Sequence, residues 1–242
     1  MNSISSTLIF SHRGANREAP ENTRPAFDQA LAYAVDGMET DVQLSRDEVA
    51  VLWHDRFLNK LGLPDKHIDD FDDAQLQKLN FAGATIMRLQ DFVQTYRSRC
   101  RLLLEIKNRE WESSSRHQIK VRQTLDEVGP IQDESIMASS FHLASLVYAN
   151  QYRPQFPLIY NFENEQTLAD ARQVLAAHPF LRGLCVPIEN LDNDMVQLVH
   201  SQHKLLAVYT CNSDAEIAKA LNLAVDILIS DVPHKALQMR SA

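Results

Sequence analysis

Arg101-Leu102-Leu103-Leu104-Glu105-Ile106-Lys107 reads as a strand, a bounded apolar run that carries Glu105 and Lys107 on one face. It opens a regular alternation. Residues 115–128 have helical spacing and end on Gly129-Pro130. Strands follow at 135–141, 157–162, 182–187, 204–210 and 226–230. Helices at 142–151, 165–177, 194–202 and 214–223 separate them, and a short helix follows Pro233. Strand–helix alternation of this kind indicates a parallel sheet.

On the N-terminal side, Thr7-Leu8-Ile9-Phe10-Ser11 is a short apolar strand that closes on His12-Arg13. Gly37-Met38-Glu39-Thr40-Asp41-Val42 is a second, with Glu39 and Asp41 two apart and so on one face. Residues 23–34 between them form a helix with Phe27, Ala30, Leu31 and Ala34 on one side. Asn22 is the expected N-cap, and Pro25 is tolerated in the first turn. Residues 49–53 are a hairpin strand ending in His54. About 56–85 reads as a small insertion with a short helix near 73–80, and 89–96 as a helix. The acidic run Asp69 to Asp73 reads as a solvated loop with a helix N-cap, since it lacks the ligand spacing and glycine of an EF-hand.

Leaving the hairpin strand aside, eight strands alternate with helices. That count predicts an α/β fold, a (β/α)8 TIM barrel of one domain over 1–242, with the insertion after the second strand and its hairpin. A doubly wound open sheet is the alternative, but no glycine-rich phosphate loop is present. The length, 242 residues, suits a barrel of about 250.

The net charge of -8 argues against nucleic acid and anionic membrane surfaces, which need a basic face. Hydrophobic residues make up 45%, enough for a large core, yet no run is long enough to insert stably in a membrane. The first ten residues lack the basic and apolar regions of a signal peptide. Cys100, Cys185 and Cys211 are odd in number and widely spaced, so no disulfide framework follows and a cytoplasmic setting is expected. Nothing in the sequence sets an oligomeric state.

In a β/α barrel the active site forms at the C-terminal ends of the strands. His12 and Arg13, Glu39 and Asp41, and Glu105 and Lys107 all fall there, with His54 on the adjoining hairpin. One carboxylate at a strand end is ordinarily paired with arginine or lysine. Glu39, Asp41 and Glu105 together would repel one another without a cation. Their all-oxygen chemistry favours Mg²⁺ or Ca²⁺. Histidine is the side chain whose ordinary pKa lies closest to working pH, so His12 and His54 suit a general acid–base pair. Arg13 and Lys107 supply positive charge for an anionic transition state or balance the carboxylates. No serine or cysteine nucleophile with a paired histidine stands out, so displacement at phosphorus is favoured over acyl transfer.

Taken together, His12-Arg13-Gly14, Pro20-Glu21-Asn22-Thr23, Glu39-x-Asp41-Val42, His54-Asp55 and Glu105-Ile106-Lys107 resemble the glycerophosphodiester phosphodiesterases. Ser139-Ser140-Phe141, Tyr209-Thr210-Cys211-Asn212 and Ile229-Ser230-Asp231-x-Pro233 extend the resemblance to the C-terminus. The resemblance implies a TIM barrel with an insertion after the histidine–aspartate pair. It implies hydrolysis of a small-molecule glycerophosphodiester to sn-glycerol 3-phosphate and an alcohol, with Mg²⁺ or Ca²⁺. It also implies that Glu39, Asp41 and Glu105 ligate the metal, that His12 and His54 are catalytic, and that Arg13 and Lys107 bind phosphate. Glu21 would orient a histidine or support the metal ligands from behind.

The chain departs from the family pattern at Tyr209, where tryptophan is usual and which would form a substrate wall. It departs again at Asn59-Lys60-Leu61-Gly62 and at Ile86-Met87-Arg88-Leu89. A second reading keeps the chemistry but takes lysophospholipids or sphingolipids, in the manner of a phospholipase D. It would use Phe57, Leu58, Leu61 and Leu63 as an apolar patch, unless these pack within the insertion. A third reading is a silent barrel that only binds a phosphorylated ligand.

Overall fold

The computed structural model describes residues 7–109, 111–131 and 133–241; residues 1–6, read above for a targeting segment, lie outside the described residues. The strands are β1 (Leu8–His12), β2 (Gly37–Leu44), β3 (Ala50–Leu52), β4 (Arg101–Ile106), β5 (Ile136–Ser140), β6 (Leu158–Asn161), β7 (Gly183–Pro187), β8 (Leu205–Tyr209) and β9 (Ile227–Ser230). They bond in the order β1-β9-β8-β7-β6-β5-β4-β2, and β1 pairs back onto β2. Eight parallel strands therefore close on themselves as the expected (β/α)8 barrel, and an open sheet is ruled out. Strand β3 runs antiparallel to β2, outside the ring.

The barrel interior follows from the two-residue period of a strand. Its lower part is filled by Phe10, Leu103, Met137, Ile159, Ala207 and Ile227. Two residues further along the same faces come His12, Glu105, Ser139, Asn161 and Tyr209. Polar groups are thus stacked on an apolar plug at the C-terminal end. Gly37 is required by that plug: a Cβ there would lie 2.4 Å from the Phe10 ring.

The outer core lies between the barrel and its helices. In it Phe27, from the helix Arg24–Ala32, packs 4.5 Å from Phe92 and 5.7 Å from Tyr96, both from the helix Leu89–Tyr96. The insertion folds as two 3₁₀ turns, Asn59–Leu61 and Ile68–Asp70, and a helix, Asp73–Leu76. It has a small core of its own, built from Leu58, Ile68, Leu76 and Ile86 on Val51 and Trp53. The acidic run is structural: Asp72 pairs with Arg46 at 2.7 Å and Asp73 with Arg88 at 2.5 Å. No helix among the described residues is long and apolar enough to cross a membrane.

Three expected boundaries move. The helix near 73–80 stops at Leu76, after which the backbone tightens: Lys78 N–H bonds to the Gln75 carbonyl and Leu79 N–H to that of Leu76, three residues back. The helix expected from 165 starts at Leu168, because Thr167 and Asp170 form a capping box. Asn22 is not an N-cap. Thr23 takes that position, while Asn22 has a left-handed φ of 57° and sends its side chain into the barrel.

Candidate active site

Strands β1, β2 and β4 are adjacent in the ring, which brings His12, Glu39, Asp41 and Glu105 together although Glu105 comes from far along the chain. Their register pairs His12 with Glu39 and Asp41 with Glu105. His54 arrives from outside the ring. Gln43 on β2 donates its amide to the carbonyls of Trp53 at 2.7 Å and Asp55 at 3.0 Å. Arg109 donates to the His54 carbonyl at 2.5 Å. These contacts fix a loop that would otherwise swing freely.

The candidate residues line one pocket of about 150 Å³ that holds His12, Arg13, Glu39, His54, Glu105, Lys107 and Tyr209. Asp41 lies just beneath. Glu39, Asp41 and Glu105 are all buried, each offering an oxygen within 4.8 Å of the others. Lys107 Nζ lies 2.9 Å from Asp41 and 2.5 Å from Glu105, and Arg13 Nε lies 3.0 Å from Asp41. Asn22 donates its amide to Asp41 at 2.8 Å and accepts from Thr40 at 2.7 Å.

The electrostatics separate the carboxylates. Burial pushes Asp41 up, but Lys107, Arg13, His54 and the Asn22 amide outweigh it and hold Asp41 well below the usual carboxylate range. Glu39 goes the other way: burial, then Asp41 and Glu105, raise its pKa well above the ordinary value, and Arg13 and Lys107 offset only part. Burial opposes the charge on Lys107 and Arg13, yet the neighbouring carboxylates keep both pKa values raised. With all three ionised, three carboxylates would face two cations and leave one negative charge in excess, which Glu39 otherwise relieves by keeping a proton. Both oxygens of Glu39 are buried without a hydrogen-bond partner. An all-oxygen set with one excess charge and two orphaned oxygens fits a hard divalent cation.

Both histidines are held through Nδ1. His12 donates to Asp231 at 2.6 Å and His54 to Asp55 at 2.9 Å. Nε2 of each ring is left for chemistry, and that of His12 lies 4.0 Å from Glu39. Asp231 also accepts from Asn16 at 2.6 Å and Asn212 at 2.9 Å. Burial raises the Asp231 pKa, but His12, Asn16 and Arg17 win and hold it well below the usual range.

Glu21, expected to orient a histidine or to support the metal ligands from behind, has an oxygen within 4.8 Å of ligand atoms of His54 and Asp55, but its hydrogen bonds among the described residues go to cations. It accepts from Arg13 at 3.4 Å and from Lys60 at 2.9 Å, and Lys60 also pairs with Asp55 at 2.9 Å. Asp231 and Asp55 take the histidine-orienting positions instead. Tyr209 gives the pocket its ring, because its hydroxyl donates to the Phe162 carbonyl at 2.5 Å. Sequence reasoning gave no role to Asp231, Asn22, Ser139 or Asn161. Asp231 had a usable signal: it is an acid directly after the last strand, as His12 is directly at the end of the first. Asn22 had a competing one, since asparagine before a helix reads as a cap.

A family model described as the glycerophosphoryl diester phosphodiesterase family matches residues 12–235. A glycerophosphodiester phosphodiesterase of Bacillus altitudinis is 27% identical over 248 residues, covering 97% of this chain and 98% of its own. Among solved structures, an Oleispira antarctica phosphodiesterase in complex with the product sn-glycerol-3-phosphate superposes with a TM-score of 0.87. It is 23% identical and covers 98% of each chain. A Silicibacter pomeroyi structure reaches the same TM-score at 20% identity, covering 98% of this chain and 94% of that one.

Proposed function

The chain belongs to the glycerophosphoryl diester phosphodiesterase family, and from that premise we propose that it hydrolyses glycerophosphodiesters to sn-glycerol 3-phosphate and an alcohol with a divalent cation and two histidines. The observation that carries this reading is the pairing of two carboxylate-held imidazoles with three buried carboxylates around one pocket. The product held by the Oleispira antarctica relative agrees with it.

Glu39, Asp41 and Glu105 would hold Mg²⁺ or Ca²⁺, whose contribution there is Lewis-acid neutralisation of charge on a phosphate oxygen. Arg13 and Lys107 draw the phosphate to the same wall, where both are largely shielded from bulk water. The imidazoles divide the proton transfers. One takes the proton from the attacking hydroxyl, and the other delivers one to the leaving alcohol. Asp231 and Asp55 keep Nδ1 protonated, so Nε2 is the atom that exchanges protons. Glu21 ties Arg13 to Lys60 of the insertion and so holds the guanidinium in place. Three free cysteines agree with a reducing cytoplasm.

The test is release of glycerol 3-phosphate from glycerophosphocholine and glycerophosphoethanolamine, with each metal and with chelator. Activity restored by Mg²⁺ or Ca²⁺ after chelation, and lost by about 10²-fold or more in His12→Ala and in His54→Ala, supports the reading. Full activity in excess chelator removes the metal, and near-normal turnover in either variant removes that histidine.

A further inference from the structure

Next to β4 in the ring, where Ser139 stands in register beside Glu105, the β5 and β6 wall of the pocket carries two polar residues that the proton transfers and the phosphate leave unused. Ser139 is at the end of β5 and Asn161 at the end of β6, and both line the pocket while being almost fully buried. They touch each other: the Asn161 amide donates to Ser139 Oγ at 3.3 Å. Asn161 Oδ1 has no hydrogen-bond partner. Turning the amide over exchanges the roles but still leaves one of its two heteroatoms without a protein partner. A buried polar atom left unmatched is costly, and natural sites keep such atoms for a ligand or a water.

The chemistry of the pair selects its partner. Asn161 offers an acceptor, and the Ser139 hydroxyl, having accepted from the amide, still has a proton to donate. One neutral acceptor beside one neutral donor matches an alcohol hydroxyl, which is itself both. It matches an ionised phosphate diester less well, since that group only accepts and has nothing to donate to the Asn161 acceptor. The neighbouring surface suits a short carbon chain. Phe141 and Tyr209 meet edge to face at 5.9 Å, and the Tyr209 hydroxyl is already engaged with Phe162.

We propose that Ser139 and Asn161 form a hydroxyl-recognition pair that binds the glycerol arm of the substrate and sets the preference for polyol phosphodiesters. This assignment rests on the phosphodiesterase reading above. The two residues act as specificity determinants: they position the glycerol while the groups on β1, β2 and β4 handle the phosphate.

The experiment compares kcat/KM for glycerophosphocholine with that for bis(4-nitrophenyl) phosphate, which has no aliphatic hydroxyl. In Asn161→Leu the ratio of the first to the second should fall about 10- to 100-fold. Ser139→Ala, a smaller change that keeps the fold, should lower it about 3- to 10-fold. Inhibition supplies a binding readout: both variants should lose affinity for sn-glycerol 3-phosphate relative to inorganic phosphate. Equal losses on both substrates, with an unchanged inhibitor ratio, overturn the pair as a glycerol site and leave the phosphodiesterase reading intact. A wild-type protein that ignores glycerophosphodiesters but cleaves the aryl diester overturns the functional reading and this assignment with it.

Discussion

His12 and Asp231 close the active site across the seam of the barrel: the imidazole at the end of the first strand donates Nδ1–H to the carboxylate just after the last, at 2.6 Å. The contact spans 219 positions in sequence. It sets which nitrogen of His12 exchanges protons, and it stabilises the imidazolium formed during turnover. Asp231→Asn keeps the shape but can present an amide N–H to Nδ1, which favours the wrong tautomer. We expect kcat to fall by about 10- to 100-fold with KM little changed, up to the lower end of the roughly 10²–10⁴-fold that acid–base catalysis supplies, because the imidazole itself remains. A kcat within about twofold of wild type would remove Asp231 from that role.

The buried Glu39 makes cation binding compete with protons. Its folded-state pKa is raised well above the unfolded value, by burial first and then by Asp41 and Glu105. A raised carboxyl pKa means that the folded, metal-free protein binds the extra proton. Its stability contribution is therefore present below the unfolded pKa of ~4.3 and lost as pH rises through the folded one. A divalent cation needs Glu39 ionised and replaces that proton. Saturating Mg²⁺ or Ca²⁺ should raise Tm by about 5 °C or more at pH 8 and by clearly less at pH 5, read by differential scanning calorimetry. Equal shifts at the two pH values would mean that Glu39 is not a ligand.

The insertion does not favour a lipid substrate. Leu58 is fully buried in the insertion core, and Leu61 and Leu63 pack on it half-buried. Phe57, also half-buried, stacks on His67 at 4.8 Å. These four residues are engaged mainly in packing the insertion. Glycerophosphocholine should therefore be turned over at least about tenfold better than lysophosphatidylcholine, a difference that a few methylenes of lost burial already supplies. Comparable kcat/KM for the two would restore the phospholipase D-like reading.

The barrel and the first wall of its site were legible because both depend on local pattern. Each strand is a bounded apolar run, and His12, Glu39, Asp41, Glu105 and Lys107 interrupt such runs at the same end. The other wall was not. Ser139 and Asn161 are neutral, small and common at strand ends, and only the ring geometry shows that they line the same pocket and leave one polar atom without a protein partner. Asn22 was misread for a related reason. Its position before a helix satisfies the capping rule, but the left-handed backbone turns its amide toward Asp41, and Thr23 takes the cap. Contacts such as His12 with Asp231 and Glu21 with Lys60 need closure of the barrel and docking of the insertion, which no local spacing encodes.

Lys120 supports the site from behind β4. It is buried on the helix Ser114–Val128, where Nζ donates to both oxygens of Glu112, at 2.7 and 2.9 Å, and to the Lys107 carbonyl at 2.5 Å. Glu112 also accepts from the Arg109 backbone N–H at 2.7 Å, so the loop that carries Arg109 and holds the His54 carbonyl hangs on this ion pair. Lys120→Met would leave the largely buried Glu112 side chain with only His117, 3.7 Å away, and the Arg109 backbone N–H, a loss of about 3 kcal/mol, the lower end for a broken buried pair. Glu112→Leu added to it removes the stranded charge and should recover much of the stability, although the Lys107 carbonyl still lacks its donor. Burial lowers the Lys120 pKa to about 8 against the pull of Glu112. A lysine with a depressed folded pKa loses its proton first in the folded state, so wild-type stability relative to Lys120→Met should widen from about pH 8 toward ~10.4, where the unfolded chain titrates. Urea denaturation at pH 7 and pH 10 measures both effects. A loss under about 1 kcal/mol at pH 7, or a gap that narrows at pH 10, would show that Lys120 does not carry the loop through a buried charge.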